Sequence, residues 1–167
     1  MNPEPEPRTL PEPEPHALEH SRVLTGQIRG RIAERGGWLD FSEYMALALY
    51  APGLGYYSAG AARFGAAGDF VTAPELGPQL AHGIAGLAER LSASLGRIEV
   101  LELGAGSGAL AVDLLADCHA RGCLPERYRI VEVSADLREA QRRRLTAQVP
   151  ELSARVEWLD ELPSSVD

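Results

Sequence analysis

The chain has 167 residues, 45% of them hydrophobic and 24% charged, enough for one domain with its own core. Its formal net charge of -8 argues against a nucleic-acid binder, because phosphate neutralisation needs a basic face. Every one of the 16 basic residues is arginine, which excludes a phosphate-binding P-loop and Schiff-base chemistry, since both need a lysine.

Residues 1–15 alternate proline and glutamate, so the backbone lacks donors and the charges repel. They predict a disordered tail that resembles neither a signal peptide nor an Arg-rich transit peptide. From His16 a helical pattern begins, with Leu24, Ile28 and Ile32 on one face, and Gly36 and Gly37 end it. "FSEYMALALY" predicts a second, short helix with Ser42 as its N-cap. Turn residues and tyrosines follow in "APGLGYYSAG", then "ARFGAAGDFVTAPELGP", which has no clean period. After Pro78 a longer helix is expected to Leu95, with Leu80, Ile84, Leu87, Leu91 and Leu95 on its inward face. These elements make residues 16–96 a mainly helical N-terminal region.

Residues 97–167 read differently. Strands are expected at 98–103, 128–134 and 155–160. A helix ending at Gly122 separates the first two, and one with Leu137, Leu145 and Val149 inward separates the last two. Strand, helix, strand, helix, strand is one half of a doubly wound α/β domain with a parallel sheet. A full sheet of this kind continues with a second half, so the sequence reads as truncated after its third strand. No apolar run approaches the roughly 20 residues needed to span a bilayer, and Cys118 and Cys123 read as reduced thiols, both consistent with a cytoplasmic protein.

Gly104, Gly106 and Gly108 follow the first strand and open the helix, where residues without Cβ let backbone approach a ligand. "GAGSGA" also satisfies the dinucleotide fingerprint, leaving an NAD(P)-binding oxidoreductase fragment as an alternative. Glu102 tilts the choice. It gives E-x-G-x-G-x-G, the arrangement of S-adenosylmethionine-dependent methyltransferases, and its carboxylate would repel a pyrophosphate. Glu132, at the end of the second strand, is the expected acceptor for ribose hydroxyls, and Asp160, ending the third, could reach an adenine amino group.

Several long strings in order, "LYAPGLGYYS", "GDFVTAPE", "LELGAGSG", "LPERYRIVEVS" and "VEWLD", resemble the MidA-like family, which includes the mitochondrial complex I assembly factor 7 proteins. The resemblance implies a class I methyltransferase (Rossmann-like) fold of which the first three strands are present. It also implies S-adenosyl-L-methionine as cofactor and a protein substrate methylated on arginine, in the mitochondrial members a respiratory complex I subunit. Glu102, Gly104, Gly106, Gly108 and Glu132 would bind the cofactor, and "GDFVTAPE" would form a loop over the pocket that exposes Gly68, Asp69, Thr72 and Glu75. Guanidinium methylation needs carboxylates to orient the substrate, which makes Asp69 and Glu75 the candidate catalytic residues. Their alternative is local, Asp69 capping a turn and Glu75 capping a helix that starts at Pro74. A non-catalytic assembly or interaction module is the third reading of the chain.

Two other signals are weaker. "HALEH" at 16–20 matches an inverted zinc-protease pattern but has no further ligand helix, and no metal site is expected. Arg142, Arg143 and Arg144 are expected to form a solvated helix face.

Overall fold

The computed structural model describes residues 12–59 and 71–164. It divides into two compact units, one ending at Gly55 and the other beginning at Tyr56. The first holds α1 (Pro15–Glu34) and α2 (Phe41–Tyr50). Proline suits the first turn of α1, where its missing N–H would have no partner in any case. Leu24, Ile28 and Ile32 are half-buried, and Gly36 and Gly37, at φ 81° and 102°, end the helix as expected. Arg31 and Arg35 of the α1 end both pair with Glu43 of α2. The N-cap of α2 is Asp40, not Ser42. Asp40 is extended at ψ 144° and its carbonyl accepts from Tyr44 N–H at 2.9 Å, so helical geometry begins one residue before the serine.

The second unit contains α3 (Ala73–Leu76), α4 (Gln79–Leu95), β1 (Glu99–Leu103), α5 (Ala109–Arg121), β2 (Arg127–Val131), α6 (Ala135–Gln148) and β3 (Val156–Leu159). The strands form a parallel sheet in the order β1-β2-β3, with Val100 opposite Tyr128 and Tyr128 opposite Val156. Alternation along each strand puts Val100, Glu102, Tyr128, Ile130, Val156 and Trp158 on one face. Glu99, Leu101, Arg129 and Glu157 lie on the other, where Arg129 bridges Glu99 at 3.1 Å and Glu157 at 3.5 Å. The core gathers Val112, Leu114, Leu115 and Cys118 of α5 with Tyr128, Ile130, Leu145, Val149 and Val156. Each fully buried side chain such as Leu115 or Ile130 stabilises this unit by about 1.5–3 kcal/mol.

Helix α4 turns a different face inward from the one its leucines predict. Ala81, Ala85 and Ala88 are buried against α5, whereas Leu87, Leu91 and Leu95 are exposed and Ile84 is only half-buried. Small side chains allow α4 and α5 to approach closely, and Arg121 of α5 pairs with Glu89 of α4 beside that seam. A bulky leucine stripe would hold the helices apart. In the grouping read from sequence α3 and α4 fall in the helical N-terminal region; in the fold they pack on α5.

Strand β2 is also shorter than expected. It stops at Val131, because Glu132 Oε1 accepts from the Ser134 N–H at 2.9 Å and the Ser134 hydroxyl caps α6 by accepting from Leu137 N–H. Gly122, in the left-handed conformation, ends α5 as predicted.

Candidate cofactor-binding site

The carboxyl ends of the three parallel strands carry the residues the sequence singles out. Gly104, Gly106 and Gly108 all have positive φ, at 69°, 54° and 81°. L-residues with a Cβ rarely adopt this conformation, so the turn between β1 and α5 needs glycine. Among the described residues no atom lies within 4 Å of a Cβ built on Gly104, so none of them fills the space beside that backbone. Gly108 serves packing instead. A Cβ there would sit 3.3 Å from Gln141 Cγ of α6.

Glu102 leaves β1 on the helix-covered face and accepts from the Tyr128 hydroxyl at 2.7 Å. Burial holds its carboxyl above the ordinary carboxylate range; the Tyr128 hydrogen bond opposes this and the neighbouring Glu132 adds to it. Glu132, just beyond β2, is buried, with one oxygen held by Ser134 N–H and the other by the Gln141 amide at 3.2 Å. Asp160 stands past the end of β3 with its side chain 92% exposed, paired to Arg138 at 2.7 Å. The same guanidinium donates to the Leu159 and Glu132 carbonyls, fastening α6 to the ends of β2 and β3.

Glu75 reaches the same region from α3. Its carboxylate accepts from the Ser107 hydroxyl in the glycine turn and from Arg144 of α6, at 3.2 Å for the latter. Arg144 also donates to Ser107 Oγ at 2.6 Å. Glu75 therefore joins three elements around the turn, and Arg144 is engaged rather than solvated. Arg142 and Arg143 are exposed as expected, Arg142 lying 4.7 Å from the Trp158 ring centroid and Arg143 pairing with Glu139. Thr72 is exposed at the N-cap of α3. Gly68 and Asp69 lie outside the described residues. Among the described residues no three His, Cys, Asp or Glu side chains form a group able to hold a metal, the "HALEH" helix included.

Sequence reasoning missed Gln141, Tyr128 and Ser107 as parts of this site. Gln141 had a usable signal: it falls between Leu137 and Leu145 at four-residue spacing, a polar residue on the stripe that faces the core.

A family model described as "Putative S-adenosyl-L-methionine-dependent methyltransferase" matches residues 79–166, more than half of the chain. The chain belongs to that family. Its cofactor is S-adenosyl-L-methionine, and the glycine turn with its flanking carboxylates lies within the matched residues. A COG1565 superfamily member from Burkholderia thailandensis, crystallised with S-adenosyl-homocysteine, superposes with a TM-score of 0.82 at 47% identity. The superposition covers 95% of this chain and 42% of that one, and it agrees with the class I methyltransferase fold expected for the family. Among curated relatives, "Protein arginine methyltransferase NDUFAF7, mitochondrial" of Xenopus laevis is 36% identical over 141 residues, 80% of this chain. Its namesake in Danio rerio is 35% identical over 117 residues, 66% of this chain. The chain spans 32% and 28% of the length of these two relatives.

Proposed function

We propose that this chain forms the cofactor cradle of an S-adenosylmethionine-dependent methyltransferase that acts on arginine side chains of a protein. The observation that carries this reading is the glycine turn of positive-φ residues flanked by the half-buried carboxylate of Glu102 and the buried one of Glu132. When bound, the cofactor supplies a methyl group on a sulfonium centre. The protein's part is binding and orientation. Glu132 would accept from the ribose hydroxyls, the backbone at Gly104 and Gly106 would let the cofactor approach, and the carboxylate of Glu102 would favour its cationic end over a pyrophosphate. Asp160 would meet the adenine amino group once its exposed carboxylate turns from Arg138.

The arginine part of the reading draws on the printed names of the curated relatives and on carboxylate chemistry. Glu75 already holds one guanidinium, that of Arg144, and with Asp69 it is proposed to orient the substrate guanidinium for in-line transfer. A respiratory complex I subunit is the protein substrate this reading proposes, and the cytoplasm its compartment. No described helix is long and apolar enough to cross a membrane.

Calorimetric titration of the purified chain with S-adenosylhomocysteine, with NAD in parallel, tests the cradle. Binding of the former and none of the latter is expected. Binding of NAD alone would overturn the reading in favour of a dinucleotide enzyme. No binding by a folded chain would favour an interaction module.

A further inference from the structure

Gln141 is fully buried in the middle of the face that α6 turns toward the sheet, where its helical neighbour Leu145 is also buried. A leucine would fill that position without burying an amide, and a buried polar group costs free energy unless all its hydrogen bonds are made. Here they are made to three separate elements. Nε2 donates to the Gly106 carbonyl at 3.0 Å and to Glu132 Oε2 at 3.2 Å, while Oε1 accepts from the Trp158 indole at 2.8 Å. The orientation is fixed by chemistry. Turning the amide over would set its oxygen against a carbonyl and a carboxylate and its NH2 against an N–H donor.

The second oxygen of Glu132 is held by the Ser134 N–H, and Ser134 caps the helix that carries Gln141. Glu132, Ser134, α6 and Gln141 thus form a closed circuit. Both oxygens of the carboxylate have a fixed donor, and each keeps a further lone-pair site. The same amide sets the distance from that carboxylate to the glycine turn.

We propose that Gln141 is a positioning residue of the cofactor cradle, which aims the Glu132 carboxylate at the ribose hydroxyls and locks it to the turn at Gly106. This rests on the cofactor reading above, and its test separates the two. S-adenosylhomocysteine and its 2′,3′-dideoxyribose analogue are titrated into the wild-type chain, Gln141→Met and Glu132→Gln, with circular dichroism as the folding check. The wild-type chain is expected to prefer the hydroxyl-bearing ligand. In Gln141→Met its affinity for that ligand should fall by about tenfold or more, the size of a lost hydrogen bond to a charged group. The dideoxy analogue should change little, so the preference collapses toward that of Glu132→Gln.

Equal loss for both ligands would make Gln141 a structural residue only and overturn the proposal while leaving the cradle intact. Failure of the wild-type chain to bind S-adenosylhomocysteine would overturn the cradle and the proposal with it. Should Gln141→Met not fold, Trp158→Phe decides. It removes the donor that holds the amide oxygen, one of the three partners that orient the amide, and keeps an aromatic ring in place, and a several-fold loss of ribose preference supports the proposal. An unchanged preference overturns it.

Discussion

The Tyr128 hydroxyl on β2 donates to the Glu102 carboxylate on β1 at 2.7 Å, on the sheet face that α5 covers. One strand thereby supplies the partner that lets the next strand carry a half-buried acid at the mouth of the glycine turn. Burial raises the Glu102 pKa, and this hydrogen bond lowers it. Tyr128→Phe leaves burial unopposed. The folded-state pKa then rises further, so the variant's deficit is small in acid and grows as pH rises and Glu102 is forced to ionise. At neutral pH the loss is expected to be about 1–3 kcal/mol, the range for a buried group left without its partner. Urea unfolding across the acid-to-neutral range measures it, and a deficit that stays constant with pH would contradict this account.

Glu102→Gln shows the other side of the same group. A carboxyl whose folded pKa is raised contributes stability that is complete in acid and lost as pH rises through the folded value. Glutamine does not titrate and escapes that loss. The variant is expected to melt a few degrees above the wild type at neutral pH, with the gain disappearing in acid, while its affinity for S-adenosylhomocysteine falls. Paired melting curves and titrations check the trade; a variant that melts lower at neutral pH would show that Glu102 serves the fold first.

Gly104→Ala separates backbone strain from crowding. A Cβ would meet no atom of the described residues there, so the cost comes from φ at 69°, about 1–2 kcal/mol for an L-residue in the left-handed region. The chain should remain folded and lose cofactor affinity, because the new methyl occupies the open space beside the turn. Retained affinity in the alanine variant would place the ligand elsewhere.

Glu75→Ala should loosen the glycine turn by removing the carboxylate that both Ser107 and Arg144 donate to, leaving only the Arg144–Ser107 bond. Backbone amide exchange at Ala105–Gly108 is expected to speed up several-fold, with little change in β2 or β3. Exchange at the turn that matches the wild type would limit Glu75 to a role outside it.

Cys118 is fully buried, and burial next to Cys123 pushes its thiol up to about 12. At neutral pH almost none of it is thiolate, so it should resist iodoacetamide in the folded chain and react readily in denaturant. Mass spectrometry of the alkylated chain distinguishes the two states.

The βαβαβ order, the glycine turn and the placement of Glu132 at a strand end were legible because each depends on local pattern. Alternating or continuous apolar runs mark the strands, and glycines mark the one turn that needs positive φ. The inward face of α4 was not legible. Four leucines and Ile84 on one stripe read as core, but close approach to α5 favours Ala81, Ala85 and Ala88, and that choice depends on which helix lies opposite. Arg144 was missed for a related reason. Its partner Glu75 lies 69 positions away, and three consecutive arginines look alike until the fold separates their surroundings.

Among the described residues β1 is paired on one side only, and the exposed Leu87, Leu91 and Leu95 of α4 line the same 450 Å³ groove as Ile98 and Val100. The edge strand is also the strand that ends in the glycine turn. Any strand joined to that bare edge, from whatever source, would bring its own connection to the far side of β1. The turn would then lie where connections leave in opposite directions, the crevice in which open α/β sheets hold their ligands. A strand paired at Val100 would therefore deepen the crevice beside the glycine turn.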